Sequence, residues 1–529
     1  MRDNHFPGRS VAHGTRAAVA TSQPLASLAA IDILRAGGNA IDAAIAACAV
    51  LGVVEPMGTG IGGDCFALCW MSKERRLAAI NGSGHAPAAL TTEGLLGEGI
   101  GQIAETSVHA VTVPGAIDAW CRLNADFGKL PMAALLAPAI DAAEQGFAVT
   151  PCIAVEWAAN TKKLSADANT KRCYLVEGRA PQAGEVIKIP GLARAMRAVA
   201  GNGRDGFYAG EIAREMVACL NGHGGVHTLN DFASQRSRYV EPIRSRYRGV
   251  DVVQMPPNAQ GLVTLLILNI LSGFDLDAHR CVSAERFHLI TEATRLAFEV
   301  RDRSIADPEM ADVPTDHLLS ETFARELRAR IRLDRAMPYA RPCEKSERDT
   351  VYVAVADADR NVCSFINSLY FQFGTGLASP ESAIIFHNRG VGFRVEPGHP
   401  NTVAPRKRPS HTILPGMAFR DGHPWLALGV KGAAFQPIGQ ASILTAVIDD
   451  GLDIQEALDA PRCGYNNDGK VEVERSVPAA VRERLIALGH PVVEAKAALG
   501  GAQMVAIDHQ HGTLAAASDP RRDGVALCC

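Results

Sequence analysis

Apolar positions along this chain change character near residue 350. Before it, residues 23–37 pattern as a helix stopped by Gly37-Gly38. Asn39 then caps Ala40–Val54, which is small and apolar nearly all round, the pattern of a helix sandwiched in a core. Residues 131–146 and 284–303 also pattern as helices, the second with apolar residues at helical spacing and charges opposite. Residues 103–114 and 186–190 predict short strands and turns, and 247–255 a strand entering the rigid turn Pro256-Pro257-Asn258-Ala259-Gln260-Gly261. Residues 304–349, rich in charge, Pro and Arg, predict a helix and an exposed loop open to cleavage. Beyond them come β-rich segments at 350–356, 361–368, 382–386, 417–420 and 425–430, then helices at 437–450 and 454–460. Helices and strands are interleaved, and the hairpin-like spacing predicts antiparallel sheet rather than βαβ winding.

The sharpest break is Ser346-Glu347-Arg348-Asp349-Thr350-Val351-Tyr352-Val353, where a charged run gives way to a strand headed by threonine. An ordinary strand start accounts for it, because threonine favours strands. The alternative is chemical. Cutting Asp349–Thr350 would leave Thr350 with a hydroxyl and a free amine on one residue. The hydroxyl is inert at neutral pH, whereas an α-amine titrating near ~7.7–8.0 can take its proton.

Composition narrows the classes. A chain of 529 residues with 47% apolar and 21% charged residues reads as soluble and globular. A net charge of −4 and 5% aromatic residues give no support for binding nucleic acid or an anionic membrane. The longest apolar run, 44–54, is too short to span a bilayer, and the first residues lack the apolar core of a secretory signal. The 13 cysteines are scattered without CxxC pairs, as in a reduced, cytoplasmic protein. No residue cluster calls for a metal or an organic cofactor. Gly58-Thr59-Gly60-Ile61-Gly62-Gly63 satisfies GxGxxG, but a helix is expected before it and a strand after it. That order is wrong for a dinucleotide site and right for a tight backbone turn.

Several separated segments together resemble the gamma-glutamyltranspeptidase family of N-terminal-nucleophile hydrolases. They are Gly37-Gly38-Asn39-Ala40-Ile41-Asp42-Ala43-Ala44, Glu55-Pro56, Gly60-Ile61-Gly62-Gly63-Asp64, Val113-Pro114-Gly115, Phe207-Tyr208 and Met255-Pro256-Pro257. Further on come Thr350 to Asp357, Phe373-Gly374-Thr375-Gly376 and Ala517-Ser518-Asp519-Pro520-Arg521. The resemblance implies a four-layer αββα sandwich in one intertwined domain, 1–529, with largely antiparallel sheets. It implies self-cleavage at Asp349–Thr350 into fragments 1–349 and 350–529, an α/β heterodimer from one precursor. Thr350 would be the nucleophile, its amine the base and Ser368 the supporting hydroxyl. Gly432 and Ala433 fall where two family glycines offer N–H groups to the oxyanion, each such donor being worth ~2.7–4 kcal/mol of barrier.

Departures concentrate in the expected substrate pocket. Ser83 stands where the family has an arginine for the substrate's α-carboxylate, and Gly392 where it has an acid for the α-amine. Tyr370 replaces an asparagine, His411-Thr412 a serine pair, and Arg389 a glutamine. Each charged partner lost removes ~1.5–3 kcal/mol. With Asn388-Arg389-Gly390, Pro409 and Gln436-Pro437, the altered set is similar to the oxamate amidohydrolase branch. This implies water as acceptor and a small amide with an adjacent carboxylate as substrate, contacted by Arg389 and His411. The alternatives are a glutathione hydrolase or gamma-glutamyl transferase with a remodelled pocket, a related acylase, and a non-catalytic interaction module.

Overall fold

The computed structural model describes residues 8–338, 348–466 and 468–529. Two seven-stranded sheets pack face to face, each covered outside by helices. The first runs Val525–Cys528, Ala18–Thr21, Arg348–Ala356, Val362–Phe371, Asp64–Met71, Arg76–Gly82, Arg238–Val240. The second runs Ala12–Gly14, Thr513–Ser518, Gly501–Asp508, His423–Lys431, Gly416–Arg420, Val250–Gln254, Ile243–Tyr247. Neighbouring strands in both are antiparallel, as their spacing predicted. Both sheets contain strands from either side of residue 350, the second with four neighbouring strands from after it flanked by three from before it.

The strand Arg348–Ala356 shows why the layers form. Val351, Val353 and Val355 pack into the core shared with the helix Ala40–Val54. Tyr352, Ala354 and Ala356 enter the core between the sheets, against Met417, Ala427 and Val505. Successive side chains of a strand point to opposite faces, so a strand apolar at every position needs cover on both. The sheets touch closely where a Cβ at Gly429 would lie 2.2 Å from the Tyr352 ring. The Tyr352 hydroxyl lies 2.7 Å from Ser364 Oγ, which in turn donates to the Gly416 carbonyl of the second sheet at 2.9 Å.

Every residue of Ala40–Val54 is buried, and Asn39 and Asp42 form a capping box at its start. The Ala40 N–H donates to Asp357 at 3.0 Å, seating the helix on the end of the Thr350 strand. Gly261–Leu271, Ala284–Ser304 and Phe435–Ile448 cover the second sheet with a separate apolar core. Among the described residues no helix is long and apolar enough to cross a membrane.

Some expected elements differ. Residues 103–114 hold only the 3-10 turn Val108–Ala110. The single strand expected at 247–255 is a hairpin, Ile243–Tyr247 and Val250–Gln254, turning through positive φ at Arg248 (48°) and Gly249 (85°). Residues 382–386 form no strand, only an isolated bridge between Ala378 and Ile385. Their main chain bonds turns instead, the Phe386 carbonyl accepting from Thr375 N–H at 3.0 Å. Of the stretch 304–349, Thr315–Leu318 and Glu321–Arg328 are helical, and 339–347 lie outside the described residues.

Candidate active site

Thr350 sits at a slip in register. Asp349 pairs with Tyr370 across the sheet, but Val351 pairs with Asn367. Such a bulge re-aims a side chain, and bulges gather beside active sites. Thr350 is buried, and its Oγ1 lies 3.1 Å from Ser368 Oγ. Ser368 Oγ also accepts the Tyr370 N–H at 2.9 Å.

Arg389 connects this pair to the neighbouring loop. Its Nη2 reaches Ser368 Oγ at 3.4 Å and its Nη1 donates to Thr412 Oγ1 at 3.0 Å. The guanidinium lies 4.0 Å over the Tyr370 ring, a cation–π contact. Tyr370 has φ of 82°, a strained value for a residue with a Cβ and one that tends to occur at functional sites.

Gly432 (φ 118°) and Ala433 (φ 45°) turn the chain from the strand His423–Lys431 into the helix Phe435–Ile448. Their carbonyls accept from Phe435 and Gln436, and no described residue takes either of their own N–H groups. Gln260 ties this turn to the rest by donating Nε2 to the carbonyls of Thr412 (3.0 Å) and Ala433 (3.1 Å). Two free N–H groups beside a helix start can hold an anion.

A cleft of about 40 Å3 opens beside this group, with Gln260, Tyr370, His411, Thr412, Arg394 and Asp302 in its lining; Thr350, Ser368, Arg389, Gly432 and Ala433 do not line it, and Tyr370 and Thr412 join it to them. That is room for about three waters. Arg394 is half-buried and makes no ion pair among the described residues. Ser83 does not line the cleft. It is buried in a polar knot, donating to Asn81 Oδ1 at 2.7 Å and accepting from Asn258 Nδ2 at 3.2 Å.

His411 is anchored from behind. Its Nε2 lies 3.0 Å from Asp64 Oδ2, and the ring stands edge-on to Phe66 at 4.7 Å. Asp64 Oδ1 accepts the N–H groups of Gly84 (2.9 Å) and Gly115 (3.1 Å), and His387 Nδ1 lies 3.4 Å from Oδ2. Burial opposes charge on Asp64, yet the His387 imidazole and the histidine hydrogen bonds hold its carboxyl well below the usual range. Burial, and then the Arg389 charge, pull His411 down to about 3, so its imidazole is neutral at pH 7.

Sequence reasoning grouped Thr350, Ser368, Arg389, Thr412, Tyr370 and His411, which the fold brings together. It missed Asp64, Gln260 and Arg394 as site residues, although Asp64 ends the run Gly60–Asp64 and Gln260 lies in the turn 256–261. One group of described residues has metal-ligating types in reach of each other: His288, Glu292 and His490, with ligand atoms within 4.8 Å. Each is internally bonded, His288 Nδ1 to His490 Nε2 at 2.7 Å and Glu292 to Arg295 at 2.8 Å, and none lines the cleft.

Two antiparallel sheets packed face to face between helical layers form the αββα sandwich of the N-terminal-nucleophile hydrolases, and Thr350 lies near the start of one of its inner strands. Within that class the chain belongs to the gamma-glutamyltranspeptidase family, whose model matches residues 26–529. It is 35% identical over 523 residues to the glutathione hydrolase-like YwrD proenzyme of Bacillus subtilis (strain 168), covering 97% of this chain and 98% of that protein. It is also 35% identical over 518 residues to the oxamate amidohydrolase proenzyme of Klebsiella pneumoniae, covering 95% and 96%. The crystal structure of cephalosporin acylase from Bacillus halodurans matches with a TM-score of 0.93 and 39% identity, covering 99% of this chain and 98% of the other.

Proposed function

We propose that this protein is a self-processing amidohydrolase of small amides carrying an adjacent carboxylate, such as oxamate, working through a Thr350 ester. The observation that carries this reading is the Arg389 bridge. One guanidinium joins Ser368, the neighbour of the nucleophile, to Thr412 on the cleft wall. A planar fork suits a carboxylate, and Arg394 adds a second guanidinium at the cleft.

In the precursor, Thr350 Oγ1 attacks the Asp349 carbonyl while its proton is relayed through Ser368 Oγ to the Thr350 nitrogen; the peptide C–N bond breaks to leave an ester and a free amine, and water then hydrolyses the ester. Fragments 1–349 and 350–529 remain interleaved in both sheets. In the mature enzyme the freed α-amine takes the Oγ1 proton as Oγ1 adds to the substrate carbonyl. Gly432 and Ala433 N–H groups receive the oxyanion. Collapse returns the proton to the leaving nitrogen, releasing ammonia, and water cleaves the acyl-threonine. Cytoplasmic action on a soluble substrate is part of this reading.

A second reading, an acylase, draws support from the 39% identity to cephalosporin acylase. Gamma-glutamyl chemistry is less favoured, because Ser83 and Gly392 supply no charges for an amino-acid head. Intact mass of the purified protein should show two fragments breaking at Thr350, and a single chain for Thr350→Ala. Ammonia release from oxamate is then compared with product release from a gamma-glutamyl anilide and a glutaryl amide. Turnover of only the last two would overturn the substrate assignment.

A further inference from the structure

His411 lines the cleft with one nitrogen committed and one open. Nε2 faces Asp64 Oδ2 at 3.0 Å, while Nδ1 is buried with no partner among the described residues. An ionised carboxylate only accepts, so Nε2 must carry the proton of a neutral ring, and Nδ1 is left with a lone pair. We propose that Asp64 fixes His411 in this tautomer so that Nδ1 accepts a hydrogen bond from the N–H of the scissile amide. His411 is then a specificity-determining contact for the amide nitrogen, not a partner of the substrate carboxylate. This rests on the small-amide reading above and deepens it.

Several observations converge on that assignment. The two backbone donors on Asp64 Oδ1 leave Oδ2 for the histidines, and they favour the ionised carboxylate. His387 cannot replace His411 as the open acceptor, because its Nε2 is held by the Thr112 carbonyl at 2.8 Å and its Nδ1 faces Asp64. The His411 main chain is pinned as well, its N–H donating to the Asn258 carbonyl at 2.7 Å and its carbonyl accepting from Gln260 at 3.0 Å. The ring therefore holds one fixed, buried acceptor at a cleft whose lining carries the donors Arg394 and Gln260 as well as the Asp302 carboxylate. A buried acceptor left unpaired selects against a ligand without a matching donor.

Two measurements test the proposal. The first is the 15N signature of His411 in the uncleaved Thr350→Ala chain: protonated Nε2 and bare Nδ1 are expected, and a protonated Nδ1 overturns the proposal. In Asp64→Asn the amide oxygen would keep the Gly84 and Gly115 donors and turn its NH2 toward His411. The ring should then switch tautomer, and an unchanged spectrum counts against Asp64 as the device. The second compares kcat/KM for oxamate with that for oxalate monomethyl ester, which keeps the carboxylate and lacks the N–H. Asp64→Asn and His411→Phe should each lower the amide-to-ester ratio by about tenfold relative to the unsubstituted enzyme. Ester turnover with an unchanged ratio overturns the role of His411 alone. Failure of the unsubstituted enzyme on both compounds overturns the underlying substrate reading instead, whatever the tautomer.

Discussion

The two guanidiniums near Thr350 and the cleft are held differently, and the difference assigns them different work. Arg389 is fully buried, stacked on Tyr370 and bonded to two hydroxyls, so it is a fixed support behind the cleft wall formed by Tyr370 and Thr412. Arg394 is half-buried with no carboxylate of its own among the described residues, which suits a contact completed by substrate. A charged hydrogen bond contributes ~1.5–3 kcal/mol, so Arg394→Gln should raise KM for oxamate about ten- to a hundredfold. Steady-state kinetics with kcat changed less than severalfold would bear this out. A fall in kcat at constant KM would place Arg394 outside substrate binding. Residues of this kind escape a reading of sequence for a physical reason. Thr350, Ser368 and His411 sit in local patterns, whereas Arg394 has only a tertiary position to mark it. Ser83 shows the converse, a position legible from its motif whose side chain is spent on Asn81 and Asn258.

At the scale of elements, the chain reads well where burial is one-sided in meaning and poorly where loops do the packing. Ala40–Val54 and the Thr350 strand are apolar on all faces, and both lie inside. Residues 382–386 are equally apolar but pack as an irregular segment against the glycine turn that precedes the strand Asp64–Met71. There a Cβ on Gly62 would meet the Ile385 carbonyl at 2.1 Å, and one on Gly63 the Ser368 carbonyl at 2.5 Å. The GxGxxG-like run is thus a spacer that lets two backbones meet beside Ser368, which no local pattern announces. Gly62→Ala should force the Ile385 segment outward and destabilise by ~1–3 kcal/mol. A lowered urea midpoint at unchanged m-value would record it, and wild-type stability would show that the two segments part freely. Because Gly63 backs Ser368, the same variant should also slow the proposed cleavage at Thr350, followed by intact mass over time.

Across the molecule, three buried histidines set how the fold answers to acid. His411 and His490 are each drawn down to about 3 and His227 to about 4, in every case first by burial. They lie in different places: His411 on Asp64, His490 against His288, and His227 with Nε2 on the Val111 carbonyl at 2.9 Å. All are neutral in the fold and titrate near ~6.5 once unfolded. The unfolded chain therefore binds more protons below that value, and stability is lost as pH falls from about 6.5 toward the folded-state values. Each histidine costs ~1.4 kcal/mol by one unit below its unfolded pKa, so the three together remove about 4 kcal/mol between pH 7.5 and 5.5. Carboxylates held low, such as Asp64 and Asp519, add to the loss only below the carboxylate range near pH 4. Chemical denaturation of the Thr350→Ala chain, which the proposed self-cleavage would leave unbroken, measures this at the two pH values. Replacing His490 by Gln should remove about a third of the difference. Equal stability at pH 7.5 and 5.5 would mean that these imidazoles are charged in the fold, and the bare acceptor assigned to His411 would fall with that result.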